Sequence, residues 1–289
     1  MSNELYIPSV TKEIVSKYGF KFSKSLGQNF LVDGNIIRNI CEGANITEED
    51  GIIEIGPGIG TLTQQLSKYA KKVVAIELDK KLLPILEETL SECENVKVIN
   101  EDVLKVDLER LIEEEFKGLN VKVVANLPYY ITTPIIMKLL ESKLDIQQIV
   151  VMIQKEVALR MQANPGNKDY GALSIAVQYY SQPEIIANVP ASVFIPRPNV
   201  DSAVIMLSVY DEPKVKVKDE KLMFNVVKSA FGQRRKTLLN ALSGGNLNLT
   251  KEEVSKVLEE ANIDPKKRGE VLAIEDFVNI SDKICSLKK

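Results

Sequence analysis

Three observations predict an α/β protein built on a seven-strand, mostly parallel sheet, with one antiparallel strand and a small C-terminal all-α domain. Five short apolar, β-branched runs alternate with helical stretches between residues 51 and 154. Two further runs, 183–189 and 202–210, are separated only by "PASVFIPRPNVD", too short for a full helix. After Tyr210 the texture changes to a charged linker, "DEPKVKVKDEK", followed by helical patterns alone. Alternation of strand and helix gives parallel strands with helices on both faces. A pair without a crossover helix reads as a hairpin-like unit at the sheet edge, one member running antiparallel.

The five alternating runs are "GIIEIG" (51–56), "KKVVAIE" (71–77), "NVKVIN" (95–100), "VKVVAN" (121–126) and "QIVVMIQ" (148–154). Near-continuous apolar runs of this kind belong to strands covered on both faces. Helical patterns follow over 219–231, 233–242, 250–261 and 274–286. The expected division is a sheet domain over 1–212, whose residues 1–30 form an N-terminal arm and ligand loop, and a helical domain over 213–289. The helical domain is close to the lower size limit for independent folding.

The first strand runs into "GPGIG" and a helix start. Gly56, Gly58 and Gly60 allow a sharp turn and close approach of a ligand where a Cβ would clash. Glu77 ends the next strand, 21 residues after Gly56. An acid there can accept both ribose hydroxyls of an adenosine-containing cofactor. The spacing is GxGxG rather than the GxGxxG of pyrophosphate binders, which favours S-adenosylmethionine over NAD. A merely structural βα turn is the alternative. Asp102, at the end of the third strand, can bond an adenine amino group; alternatively it caps the segment that follows.

"NLPYYITT" (126–133) interrupts a buried strand running into a helix. Such strand ends are where open α/β sheets hold ligands. The exocyclic nitrogen of adenine is a poor nucleophile because its lone pair is delocalised into the ring. Accepting hydrogen bonds from the amino group favours the pyramidal, reactive form. Asn126 supplies a side-chain carbonyl. Pro128 restricts Leu127 to an extended conformation, which aims the Leu127 carbonyl at the same place. Tyr129 offers a face for an extruded base. The competing reading is a strand-ending turn with a core tyrosine.

Composition narrows the chemistry. The chain has no histidine, which removes Ser-His, Cys-His and His-ligated zinc sites, and its three cysteines are scattered. No metal is expected. No run reaches the roughly 18–20 apolar residues of a membrane span, and the N-terminus lacks signal or transit character, so a cytoplasmic protein is expected. The net charge of −3 hides local basic stretches. Lys21 and Lys24 lie before the "GQNFL" loop, and Arg234, Arg235 and Lys236 form an acid-free run. These can bind polyanions locally, or can decorate ordinary solvated faces.

Taken together, "KSLGQNFLVD" (24–33), "EIGPGIGTLT" (54–63), "AIELD" (75–79), "NLPYYITTPI" (126–135), "QKEVALRM" (154–161), "YGALSIAVQYY" (170–180), "FIPRPNVDSAV" (194–204) and "AFGQRRKTLLNAL" (230–242) resemble the ribosomal RNA adenine-N6,N6-dimethyltransferases. The likeness spans nearly the whole chain. It implies a Rossmann-like class I methyltransferase sheet and S-adenosylmethionine as cofactor. Asn29 and Leu31 would contact the methionine part, Gly56 and Gly58 would line it, Glu77 would hold the ribose and Asp102 the adenine. Asn126 would serve both the cofactor's surroundings and the target, with Tyr129 and Phe194 on either side of the flipped base. Without the family, Phe194 also reads as a core aromatic. The implied reaction is dimethylation of two adjacent adenosines in the 3′-terminal hairpin loop of 16S rRNA, within immature 30S subunits, by a monomer. Readings that compete are a 23S rRNA adenine methylase giving macrolide resistance, a ribosome-assembly binding protein, and a DNA adenine methyltransferase, whose group usually has "PPY" where this chain has "LPY". Tyr130 departs from the family, where Asn is frequent.

Overall fold

A computed structural model describes residues 4–287. Two compact units emerge: Met1–Ala158 with Gln182–Val209, and Leu159–Ser181 with Tyr210–Lys289.

The first unit is the sheet. Its strands are β1 (Phe30–Leu31), β2 (Asp50–Ile55), β3 (Lys72–Glu77), β4 (Val96–Asn100), β5 (Asn120–Asn126), β6 (Gln148–Gln154), β7 (Ser181–Val189), β8 (Phe194–Ile195) and β9 (Ser202–Val209). Seven of them form one sheet in the order β4-β3-β2-β5-β6-β9-β7. Pairs from β4 to β6 are parallel, and β9 runs antiparallel to β6, from Gln148↔Ser208 to Gln154↔Ser202. The expected antiparallel member is therefore β9, inserted between β6 and the edge strand β7.

Burial follows position. All six residues of β2 are buried, and β5 and β6 are buried along their middles. The outer strand β4 is only partly covered. Val124, Val150 and Met152 are fully buried in one core cluster with Ile37, Ile40 and Leu66. Each such side chain contributes roughly 1.5–3 kcal/mol through removal from water.

The helices of this unit are α1 (Pro8–Lys17), α2 (Gly34–Gly43), α3 (Thr61–Leu66), α4 (Leu83–Thr89), α5 (Leu108–Glu115) and α6 (Thr132–Glu141). Their starts have local causes: Asp33 accepts from the Asn35 and Ile36 amides at 2.8 and 3.1 Å, capping α2. At the opposite end of the strands from the cleft, Lys122 Nζ bonds the Asp50 carboxylate at 2.9 Å and the Asn45 carbonyl at 2.8 Å, tying β2 to β5.

The short pair β1–β8 was not foreseen. Leu31 pairs with Phe194 and Phe30 with Ile195. Two residues are too few to carry a period, so no sequence pattern announces it.

Helix α7 (Lys155–Gln162) spans the division between units. The second unit holds α8 (Ala172–Tyr180), α9 (Glu220–Gly232), α10 (Leu238–Ser243), α11 (Lys251–Glu260) and α12 (Ile274–Leu287). A single cut after residue 212 does not describe it, because Leu159–Ser181 clusters with the C-terminal helices. The reason is side-chain bonding: Tyr170 donates to the Leu272 carbonyl at 2.9 Å and Tyr180 to Glu220 at 2.6 Å. The helix expected over 233–242 is also shorter. Residues 233–237 form a turn, and the Leu238 amide donates to the Lys267 carbonyl at 2.7 Å rather than to its own helix.

Candidate active site

Four parallel strands, β2, β3, β4 and β5, end on the same side of the sheet, and a cleft of about 1090 Å³, open to solvent, lies there. The glycine turn after β2, Glu77 and Leu78, Glu101 and Asp102, the Asn126–Ile131 loop and Leu26–Leu31 of the arm all line it.

Gly56, Gly58 and Gly60 all have positive φ, +70°, +61° and +89°. At Gly56 a Cβ would meet no protein atom within 4 Å, so bare backbone faces the cleft. At Gly58 a Cβ would lie 3.0 Å from the Phe30 ring. Phe30 is itself stacked on Phe20, and both belong to a cluster with Ile59, Leu82, Ile85 and Leu86. The arm thus lies over the glycine turn because aromatic packing holds it there.

Glu77 is buried, with Oε1 receiving the Asp79 amide at 2.7 Å and Oε2 the Gly58 amide at 3.3 Å. Burial pushes its carboxyl up to about 7, partly offset by those amides. Asp102 caps the following turn, its Oδ1 accepting the Leu104 amide at 3.0 Å, and the residue also lines the cleft.

Asn126 Nδ2 donates to the Asn29 carbonyl at 3.1 Å. That bond assigns the amide's orientation and leaves Oδ1 as an acceptor for a ligand. The Leu127 amide donates to Met152 at 3.1 Å, while the Leu127 carbonyl has no partner among the described residues. The Pro128 carbonyl is occupied by the Ile131 amide and the Thr132 hydroxyl. Tyr129 is half-buried with its hydroxyl 2.7 Å from Ser202 Oγ.

The structure therefore gathers Asn29, Leu31, Gly56, Gly58, Glu77, Asp102, Asn126, Leu127, Pro128 and Tyr129 around one cleft. Phe194 does not line it. It is 3% exposed on β8, in the core cluster that also holds Leu31, Val150 and Met152, so in this conformation it presents no face opposite Tyr129. Lys21 is exposed on the arm, and the side chain of Lys24 lies outside the described residues. In the second unit Arg234, Arg235 and Lys236 are exposed on the turn before α10, where Arg234 donates to the Lys168 carbonyl at 2.5 Å.

Sequence reasoning passed over several cleft residues. Gln28 ties the arm down: Nε2 donates to Asp79 at 2.8 Å and Oε1 accepts the Ser23 amide at 2.8 Å. Glu54 is 1% exposed, and its Oε2 has no hydrogen-bond partner. Burial pushes the Glu54 carboxyl up to about 8, partly offset by the neighbouring Thr63 hydroxyl, with the nearby Glu77 adding to it. Its signal was an ionisable residue inside an otherwise apolar strand. Among the described residues no group of three or more Cys, Asp or Glu side chains is placed to hold a metal ion.

This geometry can be compared with known proteins. The model of the family described as "Ribosomal RNA adenine dimethylase" matches residues 19–280. The chain belongs to the ribosomal RNA adenine dimethylase family. Among its relatives, "Ribosomal RNA small subunit methyltransferase A" of Alkaliphilus metalliredigens is 61% identical over 284 residues, covering 98% of this chain and 99% of the relative. The protein of the same name from Clostridioides difficile is 60% identical, covering 96% of this chain and 95% of its own length. Solved structures agree in fold. A dimethyladenosine transferase from Plasmodium falciparum superposes with a TM-score of 0.74 at 28% identity, covering 87% of this chain and 95% of its own. The 23S rRNA methyltransferase ErmE gives 0.67 at 25% identity, covering 89% and 99%. The seven-strand sheet is thus the Rossmann-like sheet of methyltransferases.

Proposed function

We propose that this protein transfers methyl groups from S-adenosylmethionine to the N6 atoms of two adjacent adenosines in the 3′-terminal hairpin loop of 16S rRNA, acting on immature 30S subunits in the cytoplasm as a monomer. The observation that carries the chemistry is the fixed amide of Asn126, whose Nδ2 is committed to the Asn29 carbonyl and whose Oδ1 is left to accept.

The cleft suits the cofactor. Bare backbone at Gly56 leaves room for it, Glu77 offers a buried acceptor for ribose hydroxyls, and Asp102 keeps an oxygen for the adenine amino group. Leu31 and Asn29 would flank the methionine part, with Gly58 and Asn126 completing the lining. When bound, S-adenosylmethionine supplies an electrophilic methyl group.

The chain's own residues do the rest. Asn126 Oδ1 and the Leu127 carbonyl accept the two amino hydrogens of the target adenine and favour its pyramidal form. Pro128 keeps Leu127 extended. Tyr129, held by Ser202, gives the extruded base a ring to lie on. Phe194 would close the other side only after moving out of the core. No strong base is required, because the methylated ammonium is acidic enough to lose its proton to water, and the chain has no histidine to offer. Lys21, Lys24, Arg234, Arg235 and Lys236 are the proposed phosphate contacts.

Methylation of 23S rRNA is the second reading, favoured by the shared fold with the 23S enzyme. Identity favours the first, at 60–61% with the small-subunit relatives against 25% with that enzyme. Asn126→Ala tests the clamp. Turnover should fall by roughly 10²–10³, as for loss of one preorganised hydrogen-bonding partner, and far more than RNA binding weakens. Near-normal turnover would remove Asn126 from the chemistry.

A further inference from the structure

We infer that Tyr130 is a second stacking platform, which receives the unpaired base beside the target adenine; this rests on reading the cleft as an RNA adenine site. The consecutive tyrosines of "NLPYY" occupy different environments. Tyr129 is half-buried and its hydroxyl is fixed to Ser202 Oγ at 2.7 Å. Tyr130 lines the same cleft, is 53% exposed, and its hydroxyl has no hydrogen-bond partner among the described residues.

An exposed tyrosine alone means little. This one sits beside a second element. Gly27 adopts φ +60°, and a Cβ there would sit 3.4 Å from Tyr130 Cδ1, 3.5 Å from Pro128 Cβ and 3.8 Å from the Tyr129 amide, all ordinary contacts. The arm thus borders the Pro128–Tyr130 loop. Pro128 limits the loop's conformations. The Tyr130 ring has the arm on one side and is open to solvent at the cleft.

RNA chemistry calls for such a surface. A base drawn out toward Asn126 loses its stacking partners, and its neighbour in the strand is left with an uncovered face. Tyr129 and Tyr130 both border the one cleft, the first half-buried and the second exposed, so each can offer a face to a different nucleotide of the same strand. Stacking is tolerant of base identity, so Tyr130 would help position the strand without selecting the neighbouring base. For a substrate with two adjacent targets, the platform would hold one adenine while the other reacts.

The test uses the full-length protein and unmethylated immature small subunits whose 3′-terminal hairpin carries 2-aminopurine beside the target adenine, comparing the parent with Tyr130→Phe, Tyr130→Leu and Tyr130→Ala. Loss of one stacked base should raise KM for RNA roughly five- to a hundredfold in the Leu and Ala variants, much more than kcat falls. Tyr130→Phe should keep the parent's KM. The parent and the Phe variant should quench 2-aminopurine fluorescence on binding, and the Leu and Ala variants should not. Cofactor affinity measured by calorimetry should be equal in all four. Parental KM and quenching in the Leu and Ala variants would overturn the inference. So would an equal loss in Tyr130→Phe, which would implicate the hydroxyl, or a parallel fall in cofactor affinity, which would place the ring against the cofactor. Failure of the parent itself to bind or methylate these particles would instead refute the underlying reading of the cleft.

Discussion

Glu54 and Glu77 are two buried carboxyls in one cleft, held up to about 8 and about 7 by burial. Glu77 accepts the Gly58 and Asp79 amides, whereas Glu54 Oε2 has no hydrogen-bond partner among the described residues. An acid whose folded-state value is raised binds more protons folded than unfolded, so its contribution to stability is present at low pH and lost as pH rises through the raised value. For Glu54 the window runs from the ordinary carboxyl value of 4.5 to about 8. Glu54→Gln removes this ionisation while keeping the shape. Its melting temperature should exceed the parent's above pH 8, with the gap closing toward pH 5. A gap independent of pH would show that ionisation of Glu54 is not what costs stability. This residue also marks the limit of pattern reading. "IIEI" has the apolar texture of a central strand, and only the acid within it signals a site. Gly56, Glu77, Asp102 and Asn126 were legible because strand ends and glycine spacing point to them. For Phe194 the sequence left two readings, a face for the base and a core aromatic; pairing with Leu31 seats its ring in the core here, and nothing in "FIPRP" announces that pairing.

At the scale of elements, long buried strands were legible and short pieces were not. β5 and β6 are runs of β-branched residues that few other structures can bury. The β1–β8 pair depends on register between distant segments, and the late start of the helix within 233–242 goes with the Leu238 amide's bond to the Lys267 carbonyl. Neither cause is local. The N-terminal arm is the element on which the cleft most depends, through Phe30 over Gly58 and Gln28 on Asp79. Gly58→Ala would bring a Cβ to 3.0–3.1 Å from the Phe30 ring at a φ of +61°. The strain should lower stability by about 1–3 kcal/mol and weaken cofactor binding as the arm is displaced. Denaturant titration and calorimetry on the variant measure both. Unchanged values would mean that the arm is not seated on the glycine turn.

At the scale of the whole molecule, a chain of net charge −3 must meet a polyanion through local cationic surface. The exposed turn bearing Arg234, Arg235 and Lys236 is such a surface in the second unit. Replacing all three by neutral residues should weaken binding to immature small subunits and reduce the salt slope by up to about 2–3 units. Superimposable salt curves would remove the turn from the interface. Among the described residues no helix is long and apolar enough to cross a membrane. The central claim, that the cleft dimethylates small-subunit adenosines, is tested most directly by mass spectrometry of rRNA. Unmethylated immature small subunits, large-subunit precursors and DNA are each incubated with the protein and S-adenosylmethionine. Two adjacent N6,N6-dimethyladenosines are expected in the 3′-terminal hairpin loop of the small-subunit RNA, with the large-subunit RNA and DNA unmodified. Methyl groups on large-subunit RNA or DNA in preference to the small subunit, or on none of the three, would contradict it.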